Sequence, residues 1–300
     1  MNRRLFVKNA ALAASAMMVP GRSVSRDRSI RLTILHSNDM HSRIEPMPDD
    51  GRRYAGLGGM AQRAAIIKKI RATEENVLLL DAGDIFQGTP YFNFFGGELE
   101  FKLMSEMKYD AATIGNHDFD NGIDGLYKML PHANFPFLCA NYDFSGNILH
   151  NRFQPYKIFQ KDQLNIGVFG LGIELKGLVN DHLSGGTRYL DPIAIAKEMV
   201  LELEKKNCHL IICLSHLGYK YSRGKVSDHT LAEQVSGIDL IIGGHTHTFL
   251  EMPTLYKNRE GHETIINQVG WAGIRLGRID YVFNRKRSKS VEISSPILIH

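Results

Sequence analysis

The sequence predicts an α/β fold in which buried strands are joined by helical crossovers. Two observations carry this expectation. Short runs rich in Ile, Val and Leu recur along the chain, as expected for strands buried on both faces. Stretches with apolar residues at helical spacing separate several of them, and strand, helix, strand in repeated order requires crossover connections. The first segment, "MNRRLFVKNAALAASAMMVPGRSVS", stands apart: a basic start, an apolar core and then small residues have the layout of an export signal. Its core is too short for a permanent membrane span. "NRRLFVK" resembles the twin-arginine consensus, a plain signal or an uncleaved anchor being the alternatives. Cleavage can follow Ala16 or Ser25, and the protein is expected to be exported to the periplasm or cell envelope.

In chain order, strands are expected at "IRLTILH" from Ile30, "NVLLLDA" from Asn76, "DAATIG" from Asp110, "FPFLCA" from Phe135 and "NIGVFGLG" from Asn165. "HLIICLS" from His209, "IDLIIGG" from Ile238, "TIINQVG" from Thr264 and "GRIDYVF" from Gly277 complete the set. A helix is predicted over 59–71, where Met60, Ala64, Ile67 and Ile70 fall on one face. A second is predicted over 191–206, with Asp191 as N-cap and Pro192 in the first turn. No repeat or linker interrupts the chain, so residues 27–300 are read as one domain after an export segment of 1–26. Strands dominate late in the chain, which suggests a second sheet packed on the first.

The formal net charge of +4 is concentrated at the start. Arg3, Arg4, Lys8 and Arg22 fall within the first 25 positions, where no acid stands, so 4 − 4 leaves the remainder near neutral, and a nucleic-acid partner is not expected. The basic stretch "NRKRSK" from Asn284 lies between two strand-like runs and reads as a solvated hairpin turn. Cys139, Cys208 and Cys213 sit in or beside apolar runs, where a thiol acts as a small hydrophobe, and their odd number argues against a disulfide framework.

Polar residues recur at one structural position. "TILHSNDMH" supplies Asp39 and His41, "LLLDAGDIFQG" Asp84, and "ATIGNHDFDNG" Asn116 and His117. "ICLSHLG" supplies His216, and "IIGGHTH" His245 and His247. Each lies just after a strand, and carboxyl ends of strands are where α/β proteins bind ligands. Asp39 and His41, at i and i+2 in an extended segment, would share a side and grip one cation, with His247 as a third ligand. His216, His245 and the Asn116 carbonyl oxygen would hold a second, and Asp84 would bridge both. Imidazole and carboxylate without sulfur suit Zn, Mn, Fe or Co. Two divalent ions against Asp39 and Asp84 leave about +2, enough to hold a phosphate ester. His117 is then free to act as general acid, oriented by Asp120 or, as the competing reading, by Asp118.

"NDMH", "GDIFQGTP", "GNHDFDNG", "LSHLG" and "GGHTH", in this order, resemble the metallophosphoesterase domain of the 5'-nucleotidase family, within the calcineurin-like superfamily. The resemblance covers about residues 29–284. It implies a four-layer α/β/β/α sandwich of two mixed sheets with a dinuclear centre. Asp39, His41, Asp84 and His247 would bind one ion, and Asp84, Asn116, His216 and His245 the other. His117 and Asp120 would form the catalytic pair, with Asn116 and His117 on the substrate phosphate. The expected activity is hydrolysis of nucleoside 5'-monophosphates by a metal-bridging hydroxide. The alternatives are a 2',3'-cyclic phosphodiesterase, a UDP-sugar hydrolase, a thiosulfohydrolase-like enzyme, or a non-catalytic subunit of a split nucleotidase.

The sequence departs from the family in two places. Family members often carry Glu where this chain has Asp118. Full-length 5'-nucleotidases have a C-terminal nucleotide-binding domain, and the sequence stops at His300 without it, so a separate polypeptide is an expected partner. Trp271 and Arg43 are the local candidates for substrate contact.

Overall fold

The computed structural model describes residues 29–222, 224–284 and 287–300. The export segment expected over 1–26 lies outside the described residues. The strands are, in order, β1 (Ile30–Ser37), β2 (Val77–Asp81), β3 (Ala111–Ala112), β4 (Tyr142–Asp143), β5 (Tyr156–Lys161), β6 (Leu164–Leu171) and β7 (Arg188–Tyr189). They continue as β8 (Leu210–Ser215), β9 (Leu240–Gly243), β10 (Thr254–Lys257), β11 (Glu263–Asn267), β12 (Arg275–Phe283), β13 (Lys289–Ile293) and β14 (Ile297–Leu298).

Two mixed sheets result. One runs β13-β12-β1-β2-β3, with β14 on β12; the other runs β10-β11-β9-β8-β6-β5. Alternation along each strand explains the continuous apolar runs. Leu78 and Leu80 of β2 face Ile166, Val168, Ile212 and Leu214 of the other sheet in one buried cluster. Val77 and Leu79 face outward, onto Met60, Ile67 and Ile70 of helix Met60–Thr73 and Phe101 and Met104 of helix Glu98–Glu106. Across the molecule, Ile211 and Cys213 of β8 meet Ala196, Val200 and Leu203 of helix Pro192–Lys205. The layers are therefore helix, sheet, sheet, helix.

Helix Pro192–Lys205 begins as expected: the Asp191 side chain accepts from Ile193 N at 2.9 Å and Pro192 occupies the first turn. One expectation is corrected. The run from Phe135 to Ala140 is not a strand, because its backbone partners change almost at every residue. Leu138 N donates to Ala112 O, Cys139 N to Gln154 O and Ala140 N to Gly170 O, which ties the edge of one sheet to the other, and Pro136 has no N–H to give. The second sheet expected from the abundance of late strands is present, and the late strands divide between the two. β10 and β11 join β9, whereas β12 returns to pair antiparallel with β1.

Candidate metal centre

Loops following β1, β2, β3, β8 and β9 meet at one rim, where neighbouring strands of each sheet run parallel. The first two continue as paired backbone: Asp39 N donates to Gly83 O at 2.9 Å, and His41 N to Asp84 O at 3.0 Å. Asp39, His41, Asp84, His245 and His247 all have φ between 49° and 71°. The extended backbone expected for Asp39-x-His41 and His245-x-His247 is thus replaced by left-handed turns. Asp and His tolerate this region better than most residues, at about 1–3 kcal/mol each, and such strain concentrates at functional sites. Gly115 is required by close approach, since a Cβ there would lie 2.2 Å from Asp84 Oδ1 and 2.5 Å from His216 Nε2.

The turns aim side chains at two overlapping points. Ligand-type atoms of Asp39, His41, Asp84 and His247 lie within 4.8 Å of one another, and so do those of Asp84, His216 and His245. His41 Nε2 faces His247 Nε2 at 2.9 Å, and His247 Nε2 lies 3.4 Å from Asp39 Oδ1. Asp84 Oδ2 lies 3.1 Å from His216 Nε2 and 4.0 Å from His41 Nε2, so one carboxylate belongs to both groups. Asn116 Oδ1 faces His245 Nδ1 at 2.8 Å, which adds Asn116 to the second group.

The donor set fits a cation. His216 Nδ1 donates to Ala82 O at 2.6 Å, which leaves Nε2 with its lone pair; that nitrogen is buried and has no aligned hydrogen-bond partner. Two imidazole nitrogens that face each other, as in His41 and His247, can share only one hydrogen. Nitrogen and carboxylate donors without sulfur are the chemistry of Zn, Mn, Fe and Co. Burial lowers the pKa of His41, and holds His245 at about 4 with help from His216, so both rings are neutral at physiological pH. Burial raises Asp84 but His216 and other imidazoles outweigh it, and its carboxyl stays ionised. His216 shows the reverse: burial opposes its charge, Asp84 prevails, and its pKa is pushed to about 10.

His117 lies on the open side of the centre. Its N–H donates to Asp84 Oδ1 at 2.8 Å, and its ring Nδ1 lies 2.9 Å from Asp120 Oδ2. Asp118 does not face the His117 ring, the competing role read for it in the sequence. It is fully buried and accepts four backbone N–H bonds, from Asp84 (3.1 Å), Ile85 (2.9 Å), Phe86 (3.1 Å) and Gly115 (2.8 Å). Asp118 is therefore a knot between the Asp84 and Asn116 loops, which the sequence concealed because three of its donors are more than 30 residues away. Asn38 was also missed, although it stands inside "NDMH". Its amide donates to Asp39 Oδ2 and Gly270 O, both at 2.6 Å, and accepts from Val269 N at 3.0 Å. Trp271 stacks on His247 with ring centroids 5.9 Å apart. Arg43 lines a neighbouring cavity.

The calcineurin-like phosphoesterase model matches residues 32–249. A snake venom 5'-nucleotidase of Crotalus adamanteus is 35% identical over 295 residues, covering 91% of this chain and 48% of its own length. A 5'-nucleotidase of Vibrio cholerae is 37% identical, covering 92% and 54% respectively. The crystal structure of a 5'-nucleotidase precursor from Thermus thermophilus superposes with a TM-score of 0.80 at 32% identity, covering 90% of this chain and 55% of that one. The chain thus spans about half the length of the curated relatives it matches.

Proposed function

The chain belongs to the calcineurin-like phosphoesterase family, and on that premise we propose that it is a metal-dependent phosphohydrolase acting on nucleoside 5'-monophosphates. One observation carries the reading: Asp84 is shared by two groups of ligand-type side chains. Asp39, His41, Asp84 and His247 would hold one divalent ion, and Asp84, Asn116, His216 and His245 a second, each Zn, Mn, Fe or Co. Bound there, the ions would polarise water and the phosphoryl oxygens near neutral pH. Asn116 and His117 contact the phosphate. His117 protonates the departing oxygen from Nε2, while Asp120 at Nδ1 fixes the tautomer. The nucleotide assignment draws on the names of the relatives. The fold also hosts other leaving groups, so the substrate is the part to be tested.

The test is turnover of AMP, UDP-glucose, 2',3'-cyclic AMP and an aryl phosphate with added Mn²⁺, together with elemental analysis of the purified protein. Hydrolysis of AMP is expected, with a transition metal retained. Protein that holds no transition metal and hydrolyses nothing in the panel would be a non-catalytic subunit instead. Residues 27–300 are proposed as one catalytic domain and residues 1–26 as the export signal, checked by cell fractionation of the full chain against one lacking 1–26. A separate polypeptide carrying the nucleotide-binding domain is a proposed partner; co-purification tests it.

A further inference from the structure

A cavity of about 300 Å³ is built on the loop that follows His41, with Arg43, Arg52, Arg53 and Tyr54 in its wall. The loop is rooted. Met47 N donates to Leu57 O at 2.7 Å, and Gly56 N to Met47 O at 3.0 Å, closing its base. Arg43 stands two residues from His41, and Tyr54 stacks on Phe249, two residues beyond His247, with centroids 5.3 Å apart. The cavity is thereby tied to two of the ligand-bearing loops.

Its chemistry is cationic. Asp50 is the carboxylate in the wall, and Arg52 engages it at 3.3 Å. Arg43 and Arg53 have no carboxylate partner among the described residues, and Arg43 Nε is buried with no hydrogen-bond partner. Nor do the aromatic faces invite a base. Arg53 covers Tyr54 at 5.2 Å and Arg275 covers Phe249 at 5.1 Å, so the two-ring stack is capped at both ends. Arg275 is itself neutralised by Glu251 at 2.8 Å; Arg53 is not. Two guanidinium groups without a carboxylate partner in the wall of one small cavity are matched to a phosphate dianion.

We propose that this cavity is a second anion subsite, which takes an additional phosphate of the substrate while the scissile one lies at the metal centre. The proposal rests on the phosphohydrolase reading and extends its substrate from a nucleoside 5'-monophosphate to one that carries a second phosphate. They can be joined as an anhydride or borne separately on the sugar, and the same guanidinium chemistry serves both.

The experiment compares kcat/KM for AMP, ADP and adenosine 3',5'-bisphosphate, with an aryl phosphate as baseline, in the wild type, Arg43→Ala and the solvent-exposed Arg53→Ala. The wild type should prefer one two-phosphate substrate over AMP by about tenfold or more, and each variant should shrink that preference by about tenfold, as expected for a lost charge-assisted contact. Preference for ADP places the second phosphate in an anhydride; preference for the 3',5'-bisphosphate places it on the sugar. Equal use of all three nucleotides, or a preference that survives both substitutions, overturns the subsite while aryl phosphate turnover keeps the phosphohydrolase reading intact. A wild type that hydrolyses none of the four esters overturns both.

Discussion

The two ends of the central strands carry the same residue types and treat them in opposite ways. Before β8, β9 and β11 stand His209, Asp239 and His262. There His209 Nδ1 accepts from Asn165 N at 2.9 Å, Asp239 Oδ2 accepts from Ile211 N at 2.9 Å and pairs with Lys289, and His262 Nε2 donates to Ile238 O at 2.9 Å. Every one of these side chains has an internal partner, and none has a left-handed backbone. At the opposite rim His216 Nε2 has no aligned partner, two imidazoles confront each other, and five backbones are strained. A satisfied histidine is structural. Ligand-type atoms crowded together on left-handed turns are the arrangement a cation site requires.

Breaking the contrast at its strongest point should have the largest effect. Asp84→Asn should lower turnover by more than the ~10²–10³-fold typical of one lost stabilising donor, and release metal, because both ligand groups lose a charged member. Asp239→Asn at the other end should leave turnover unchanged. Steady-state kinetics with elemental analysis decides; equal losses in the two variants would erase the distinction.

His117→Ala separates binding from chemistry within the active rim. Turnover should fall by about 10²–10⁴-fold with metal retained. Metal lost in proportion to activity would make His117 a ligand rather than a proton donor.

Asp118→Ala probes how the rim is braced. It strips the acceptor from four buried N–H groups, each costing about 1–3 kcal/mol if left unpaired, and should lower stability by at least ~4 kcal/mol in denaturant titration. A stability unchanged within error would mean that the loops hold themselves.

His36 offers a third environment, between the sheets, where Asn267 donates to its Nε2 at 2.8 Å and burial lowers its pKa to about 3. The unfolded chain takes up this proton near pH 6.5 and the folded one does not, so the contribution of His36 is lost as pH falls from about 6.5 to 3, by ~1.4 kcal/mol per unit. Unfolding free energy measured across that window should show a shallower slope in His36→Gln. The smallest effect belongs to the satisfied end: His262→Ala should cost about 1 kcal/mol, the worth of one hydrogen bond, with kcat unaltered.

Legibility in the sequence followed the range of the forces. β8 could be read because burial on both faces demands an unbroken apolar run, and helix Pro192–Lys205 because its cap and its first-turn proline are local. The stretch from Phe135 to Ala140 has the same apolar look but bridges two sheet edges, a role that composition does not encode. The candidate ligands could be named because each follows a strand. The left-handed turns that aim them could not, since Asp and His do not announce such a backbone as glycine does. Asp118 was invisible as a knot for a plainer reason: its partners come from another loop.

The sequence by itself determined the alternation of strand and helix and the placing of imidazoles, carboxylates and one amide at strand ends, because periodicity and hydrogen-bonding chemistry are properties of neighbouring residues. Only the tertiary structure decided that β12 returns to β1, that Asp84 lies between two groups of donors, and that Arg43 and Arg53 share a cavity. Those depend on close packing between segments distant in the chain, where a few ångströms separate a ligand set from a scatter of polar side chains.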